Sequence, residues 1–417
     1  MGMTIAEKIL AHASRREEVK PNEIVVVGPD LVMSNDATTH ITIDIFRKMG
    51  GVKVKSPDKI VFVIDHNVPS NSVQTAEVHK KMREFAKYNS IKLYDGEGVC
   101  HQLLIEHHAV PGTVIVGADS HTCTLGALGA FATGIGSTDM AAIWVRDKIW
   151  LKVPQTLKFE INGKLPDGVY AKDLILKIIG DIGADGATYK AMEFSGSTVK
   201  EMSMDSRFTL CNMAVEAGAK TGIIEPDEKI IEFLSKLRSG RGYRLLRSDS
   251  DAEYEKVYYY DASEIEPMIA CPHTLDNVKP VREVEGLKIH EAFIGSCTNG
   301  RIEDLRIAAE ILEGNKVHPD VRLIISPASR NVFRDALKEG LIETFLESGA
   351  IVMNPNCSTC WGACQGVLGD GERLISTGSR NFRGRAGNPN SEIYVASPAT
   401  VAYSAINGVI SDYSKEV

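Results

Sequence analysis

The chain has 417 residues, of which 43% are hydrophobic and 24% are charged, and its formal net charge at pH 7 is −8. This length exceeds one ordinary hydrophobic core, so two or three soluble domains are expected. The acidic balance argues against nucleic acid as a partner, which usually needs a basic face, but it leaves room for a small anionic substrate.

The first residues carry neither a targeting segment nor a membrane span. The run MTIAEKIL lacks the apolar core of a signal peptide, and Thr4 followed by Glu7 predicts a capped helix. No run reaches the roughly 18 apolar residues that span a bilayer. We therefore expect a cytoplasmic protein, in which thiols stay reduced and clustered cysteines more often bind metal than form disulfides.

Strand-like and helix-like runs alternate through the first part of the chain. The apolar run KIVFVID ends beside His66, and a helical pattern follows over residues 72–89. Next come IKLYD, a predicted loop GEGVCHQLL and the apolar run GTVIVGADSH, and residues 137–150 predict a capped helix. This alternation is typical of an α/β protein built from βαβ units.

The alternation changes near residue 153. Residues 153–168 have the turn residues of a hairpin, which we take as the opening of a second domain, and the acidic residues 247–267 predict an exposed segment or linker. Strands and helices alternate again from LKIHEAFIGSCTN onward. We predict domains over 1–155, 156–275 and 276–417.

Three of the eight cysteines fall within NPNCSTCWGAC. Because Cys297 and the pair Cys357 and Cys360 all follow predicted strands, these three can converge where an open α/β sheet binds its ligands. The alternatives are a structural zinc half-site or a thioredoxin-like pair, with Cys364 as a further ligand or a core residue. Three thiolates on a four-iron cluster would leave one iron open as a Lewis acid.

The motifs GSCTN, NCSTC and SRNFRGR, in this order after IDHN, CHQ and GADSHT, resemble the aconitase superfamily. More narrowly, nearly the whole chain resembles the large subunits of the prokaryotic isopropylmalate dehydratases and homoaconitases. The resemblance implies three α/β domains packed around a central iron–sulfur site, without the swivelling fourth domain. It also implies one [4Fe-4S] cluster per subunit, held by Cys297, Cys357 and Cys360.

The resemblance further implies a hydro-lyase that removes a hydroxyl group and returns it to the neighbouring carbon. Hydroxide leaves poorly, so an iron Lewis acid and a general acid suit this chemistry. His121 beside Asp119 is the favoured acid relay, although a histidine after a strand is more often a structural hydrogen-bonder. The catalytic residues implied by the motifs are Asp65, His66, His101, Asp119, Ser120, His121 and Glu193.

Substrate carboxylates would bind to arginine, whose fork suits them. The resemblance assigns this role to Arg380 and Arg385 and leaves Arg383 as a solvated residue. Asn35 is a further substrate contact, at a position where aconitases have Gln and many isopropylmalate enzymes have His. Ser379 also departs from the family, which commonly has Asn there. The remaining histidines predicted to be solvated are His12, His79 and His318.

The function expected from the resemblance is the interconversion of 2-isopropylmalate and 3-isopropylmalate in leucine biosynthesis. Homoaconitase and 2,3-dimethylmalate dehydratase are alternatives that act on other small di- or tricarboxylic acids. The chain ends at Val417 without a swivelling domain, so we expect an obligatory small subunit in a heterodimer or heterotetramer, and no turnover alone. Alternatives of another class are a non-catalytic iron- or RNA-binding relative and a zinc-stabilised structural protein. The histidine and carboxylate motifs argue for an enzyme.

Overall fold

The computed structural model describes residues 2–237, 242–362 and 364–416. Within these ranges the chain is an α/β protein with three mainly parallel sheets and one two-stranded ribbon. The predicted fold class is therefore confirmed. None of the described helices is both long enough and apolar enough to cross a membrane.

The first sheet has five parallel strands in the order β4-β3-β2-β5-β6, and a separate antiparallel ribbon joins β1 to β7. Its central strands are buried on both faces, which explains their continuous Val and Ile runs. The elements are α1 (Ile5–Ser14), β1 (Ile24–Val27), β2 (Leu31–Asn35), α2 (Thr39–Lys48), β3 (Ile60–Ile64), α3 (Val73–Asn89), β4 (Lys92–Asp95), α4 (Cys100–His107), β5 (Val114–Gly117), β6 (Phe131–Gly134), α5 (Ser137–Arg146) and β7 (Ile149–Lys152).

The second sheet has four parallel strands in the order β10-β9-β8-β11. The predicted hairpin is wrong, because β8 pairs in parallel with β9 and β11 instead of folding back on its neighbour in sequence. The elements are β8 (Thr156–Asn162), α6 (Ala171–Ile182), β9 (Ala191–Ser195), α7 (Ser197–Glu201), α8 (Met204–Met213), β10 (Thr221–Ile224), α9 (Glu228–Leu237) and β11 (Lys256–Asp261).

The third sheet has seven strands in the order β13-β12-β18-β17-β14-β15-β16, and only β12 and its two neighbours pair antiparallel. The elements are β12 (Met268–Ala270), β13 (Val278–Pro280), β14 (Glu291–Gly295), α10 (Ser296–Asn299), α11 (Ile302–Leu312), β15 (Arg322–Ser326), α12 (Arg330–Lys338), α13 (Leu341–Ser348), β16 (Ile351–Val352), β17 (Arg373–Ser376), β18 (Glu392–Val395) and α14 (Pro398–Asn407). The domain boundaries at residues 155 and 275 stay a prediction.

Three local predictions have a clear outcome. The capping box of α1 is confirmed, because Thr4 and Glu7 each accept a hydrogen bond from the other's backbone N–H. The predicted loop GEGVCHQLL is wrong from Cys100 onward, where α4 begins. The linker prediction also fails: β11 lies inside it, and the carboxylate of Asp249 binds the Met3 backbone N–H at 2.9 Å.

One hydrophobic cluster joins the three sheets. It contains side chains from the first sheet, such as Met33, from the second, such as Phe159, and from the third, such as Phe293. The backbones also approach closely: a Cβ placed on Gly126 would lie 1.8 Å from the backbone oxygen of Gly222. The glycine-rich run after Ser120 therefore serves close packing between the first and second sheets.

Gly126→Ala should lower the free energy of unfolding by about 1–3 kcal/mol, because a backbone oxygen cannot move aside as a flexible side chain can. Urea unfolding measures this loss. Gly242→Ala is the matched control, since nothing lies within 4 Å of a Cβ at that position. Equal unfolding midpoints for the two variants would contradict this account of the packing.

Candidate active site

A small cavity of about 60 Å³ lies where strand ends from the first and third sheets meet. It is lined by residues that follow β3, β5, β14, β16 and β17 at their carboxyl ends, where α/β sheets bind ligands. The predicted convergence of separate loops therefore occurs. The sulfur and imidazole groups that line it are those of Cys297, Cys357, Cys360, His66, His101 and His121.

The three cysteines sit on short turns held by polar contacts. The side-chain amide of Asn212 lies 3.2 Å from the sulfur of Cys297, and Arg385 Nη2 lies 3.8 Å from the sulfur of Cys360. The backbone N–H of Cys357 donates to the backbone oxygen of Asp65 at 3.0 Å, which ties the third sheet to the first. These contacts fix the sulfurs relative to one cavity.

Two residues next to the cysteines adopt the left-handed backbone region that L-residues rarely enter. Ser296 has φ of 69° and precedes Cys297, and Ser358 has φ of 47° and follows Cys357. Such conformations cost about 1–3 kcal/mol and concentrate at functional sites. The backbone next to Cys297 and Cys357 is therefore locally strained, and these turns direct both sulfurs toward the cavity.

The donor set fits an iron–sulfur cluster. Thiolates, not thiols, bind iron, and burial raises the pKa of Cys297 to about 12 and raises that of Cys357 further. Burial is the largest single effect on the pKa of Cys360 and raises it, but Arg385, the Ser379 backbone and Arg380 together lower it more, so the net pKa is lowered. All eight cysteines are free. Three buried sulfurs facing one cavity are therefore suited to bind a metal group that stabilises their thiolate form.

The first imidazole–carboxylate pair is formed by His66 and Asp65, with His66 Nδ1 at 2.8 Å from the Asp65 carboxylate. Burial lowers the pKa of His66, but the nearby Cys357, Asp65 and Asp36 raise it to well above its ordinary value. His66 also forms a side-chain hydrogen bond with Cys357, so the imidazole contacts both the Asp65 carboxylate and that sulfur. The geometry is that of a proton donor.

Asp36 supports this pair from behind. Its carboxylate accepts hydrogen bonds from the backbone N–H groups of Asp65, His66 and Asn67 and lies 3.2 Å from His79 Nε2. The prediction that His79 is solvated is therefore wrong, because His79 is only 3% exposed. Burial raises the pKa of Asp36, but the bonds with His66 and His79 lower it more, so Asp36 stays ionised.

The second pair is formed by His101 and Asp119, with His101 Nε2 at 2.9 Å from the Asp119 carboxylate. Burial raises the pKa of Asp119, but His101, His121 and His66 together hold it well below its usual value. Asn35 lies behind Asp119, to which its amide nitrogen donates at 3.1 Å, and it is fully buried. The structure therefore places Asn35 as a support of Asp119 and not on the cavity wall.

The third pair differs from the prediction. His121 Nε2 lies 2.7 Å from the carboxylate of Glu216, whereas its Nδ1 is 3.8 Å from Asp119. The expected relay of His121 with Asp119 is corrected accordingly, because Asp119 is already occupied by His101. Burial and the Arg380 guanidinium lower the pKa of His121, so it is less suited than His66 to carry a proton at neutral pH.

Arg380 closes this part of the cavity. Its Nε donates to Glu216 at 2.9 Å and its Nη2 donates to Ser120 Oγ at 2.7 Å, while Ser379 Oγ lies 2.9 Å from His121 Nε2. Burial raises the pKa of Glu216, but His121 and Arg380 lower it more. Ser379, where Asn is common in the family, therefore makes a direct contact with the third pair.

Glu193 is not brought to the cavity. It lies on β9, where its carboxylate accepts hydrogen bonds from Ser248 Oγ at 2.8 Å and from the Tyr254 hydroxyl at 2.7 Å. Burial raises its pKa. Glu193 therefore connects β9 to residues 248–254. At the cavity, the carboxylate that pairs with a histidine in its place is that of Glu216.

The remaining predicted residues divide between the cavity and the surface. Arg385 lines the cavity, and its buried Nε has no hydrogen-bond partner among the residues described. Arg383 is exposed and donates to the Pro389 backbone oxygen, as a solvated loop residue would. Cys364 is half-buried and does not line the cavity, whereas Cys100 does.

Sequence reasoning missed Glu216 and Asn212, and it gave Asp36 only as a match to the family motif, without a role. A signal for Glu216 was present: it is the only charged residue between Arg207 and Lys220, and a lone carboxylate in an apolar run indicates a buried, paired charge. Asn212 lies one helical turn before it, at the end of α8. No comparable signal marks Asp36, whose partners come from a different strand end.

Asp36→Asn should lower the free energy of unfolding by about 3–5 kcal/mol, since it leaves buried donors and His79 without an ionised acceptor. Asp44→Asn is the control, because that carboxylate is 53% exposed and its ion pair with Lys81 is worth about 1 kcal/mol or less. Urea unfolding distinguishes them. Equal losses would contradict the supporting role of Asp36.

The pH dependence of the unfolding free energy gives a second test of Asp36. The pKa of Asp36 is depressed in the folded state, so its contribution is complete above about pH 4 and is lost as pH falls further, because the unfolded chain then binds the extra proton. The unfolding free energy of the wild type should therefore fall more steeply below pH 4 than that of Asp36→Asn. Parallel curves would contradict this expectation.

Comparison with known proteins gives one consistent result. A model of the Aconitase family (aconitate hydratase) matches residues 7–285 and 275–408. The 3-isopropylmalate dehydratase large subunit 1 of Methanopyrus kandleri is 55% identical over 415 residues, which cover 99% of each chain. A probable methanogen homoaconitase large subunit of Methanothermobacter thermautotrophicus is 51% identical over 99% of this chain and 98% of its own.

The fold has a counterpart among solved structures. The holo-form of Thermococcus kodakaraensis aconitase X aligns with a TM-score of 0.51 over 85% of this chain and 84% of that chain, at 12% sequence identity. This likeness concerns the fold alone. Together with the family match and the full-length relatives, it leads to one conclusion: the chain belongs to the aconitase family.

Proposed function

We propose that the chain is the large, cluster-bearing subunit of a hydro-lyase that interconverts 2-isopropylmalate and 3-isopropylmalate. The observation that carries this proposal is the meeting of three cysteines and three imidazole–carboxylate pairs in one cavity. Full-length relatives at 55% and 52% identity are named 3-isopropylmalate dehydratase large subunit, which supports the substrate. Leucine biosynthesis is the corresponding role.

Cys297, Cys357 and Cys360 would hold one [4Fe-4S] cluster. When bound, such a cluster with three protein ligands supplies an open iron that acts as a Lewis acid toward a substrate hydroxyl. The residues around the sulfurs suit this group, because Asn212 and Arg385 each aim a donor at a sulfur and can bind its thiolate form.

The proton chemistry falls to the paired histidines. His66, held by Asp65 and Asp36, would donate a proton to the departing hydroxyl, which otherwise leaves poorly. The pairs of His101 with Asp119 and of His121 with Glu216 would orient the substrate and its water, since their carboxylates stay ionised. Ser120 and Arg380 lie at the same wall.

Two arginines would bind the substrate carboxylates. Arg385 lines the cavity, and its buried Nε has no hydrogen-bond partner in the described part of the chain. Arg380 also lines the cavity, and its guanidinium is held in place by a hydrogen bond to Glu216. A planar guanidinium binds a carboxylate through two N–H groups. A small diacid therefore suits this cavity better than a neutral substrate.

A small subunit would complete the enzyme, as a heterodimer or heterotetramer. The relatives matched over their full length are named large subunits, and a large subunit implies a partner. A cytoplasmic location fits a chain whose eight cysteines are all free.

Cluster-loaded chain mixed with the matching small subunit should convert 3-isopropylmalate to its unsaturated diacid, followed by ultraviolet absorbance. The chain alone, and a Cys297→Ser variant with the small subunit, should show no turnover, because each lacks one part of the site. Inert isopropylmalate with active homoaconitate would favour the homoaconitase alternative, which the 51% identical relative supports. Turnover without a cluster would contradict the proposal.

Glu216→Gln should lower kcat by about 10²-fold, the cost of a misplaced substrate-orienting group, because His121 and Arg380 lose the charged partner that holds them in place. Glu193→Gln should leave kcat close to that of the wild type, since Glu193 bonds Ser248 and Tyr254 away from the cavity. Both variants carry the same chemical change in a buried carboxylate. If Glu193→Gln lowers kcat more than Glu216→Gln does, Glu193 would again be the predicted catalytic carboxylate.

A further inference from the structure

Lys172 is a fully buried lysine that the proposed chemistry does not use. It is the second residue of α6 and is only 1% exposed. Its ammonium donates three hydrogen bonds, to Asn299 Oδ1 at 3.2 Å, to the Thr377 backbone oxygen at 2.8 Å and to the Gly378 backbone oxygen at 2.7 Å. An ammonium has three N–H groups, so all of them are used.

These three acceptors belong to the loops that carry or support two of the cysteines. Asn299 lies two residues after Cys297 on α10. Gly378 lies against Cys360: a Cβ placed on Gly378 would be 3.4 Å from that sulfur. A single side chain from the second sheet's helix therefore connects two loops of the third sheet directly behind two sulfurs.

The charge of Lys172 has no carboxylate partner within 4 Å among the described residues. Asp173 accepts from the backbone N–H groups of Met268 and Tyr170, and Asp304 accepts from Asn299 and Arg301. An unpaired buried cation is costly, and this one also lies at the positive end of a helix. The buried position of the Lys172 ammonium is therefore explained if another group in the folded protein supplies a negative charge nearby.

The cysteine sulfurs are one source of that charge. Burial lowers the pKa of Lys172 to about 7, and Cys360, Asp304, Cys297 and Asp173 act against that shift. A second buried cation, Arg301, donates to the backbone oxygens of Cys297 and Thr298 and likewise forms no ion pair in the described ranges. Two buried cations therefore lie close to the loops that carry the sulfurs, where they can favour bound thiolates.

We propose that Lys172 is a positioning residue of the cluster site: its buried ammonium joins the loops that hold Cys297 and Cys360 and fixes a positive charge behind these two sulfurs. The inference rests on the proposed function, because it concerns the cluster of that site. It adds a residue from α6, which no cysteine motif contains. Such outer contacts set both the retention of a metal group and its reduction potential.

The test uses the cluster-loaded chain and two substitutions, Lys172→Met and Lys172→Gln. Met removes both the charge and the hydrogen bonds, whereas Gln can still donate to two acceptors. Both should shift the one-electron reduction potential of the cluster, followed by electron paramagnetic resonance, to a more negative value, because the positive charge that favours the reduced form is gone. Iron loss to a chelator should become about 10–100-fold faster.

Lys229→Met is the matched control. Lys229 also donates to three backbone oxygens, those of Lys200, Glu201 and Met202, but it lies far along the chain from the cysteine loops and does not line the cavity. It should change neither the potential nor the rate of iron loss. If Lys172→Met does not fold, Lys172→Gln against this control carries the test.

The outcomes separate the two proposals. A wild-type chain that assembles no cluster on its three cysteines overturns both the proposed function and this inference. A wild-type cluster whose potential and iron-loss rate are unchanged in the Lys172 variants overturns the inference alone. If Lys172→Gln has the reduction potential of the wild type and Lys172→Met does not, the role of the fixed charge is also overturned. Hydrogen bonding alone would then explain the wild-type potential.

Discussion

The pairing of buried charge is the constraint on which the cavity depends. Asp36, Asp65, Asp119 and Glu216 are all poorly exposed, and each faces an imidazole, a guanidinium or several backbone N–H groups. A carboxylate without such a partner would take up a proton or destabilise the fold by several kcal/mol. The paired groups therefore form a connected set, in which the position of one loop fixes that of the next.

Much of this arrangement could be predicted from local sequence. A polar motif directly after an apolar strand points to the carboxyl edge of a sheet, so the placement of His66, Asp119 and Cys297 followed from the strands alone. The hydrogen bonds between residues of different motifs could not be predicted from the strands. Glu216 meets His121 across 95 positions of chain, and only the packing of α8 against the turn Ser120–Leu128 brings them together.

Three of the failed predictions share one physical cause. The turn residues after β8 suggested a local hairpin, but the strand gains its hydrogen bonds from β9 and β11, which are distant in sequence. His79 has the polar surroundings of a surface helix in sequence, yet its helix faces Asp36 across the end of β2. Glu193 lost its predicted role because Ser248 and Tyr254 satisfy its carboxylate. In each case a non-local partner overrode a local pattern.

The same logic bears on which part of the enzyme distinguishes substrates. Asn35, one of the two residues that depart from the family pattern, forms hydrogen bonds with Asp119 and Thr38 and is fully buried. The cavity wall in the described ranges is mostly charged or thiol-bearing, with Val99 and Trp361 among its few apolar members. These groups suit the hydroxyl and carboxylates that all substrates of the family share. In the proposed heteromer, the apolar contact that an isopropyl group needs would therefore come from the small subunit.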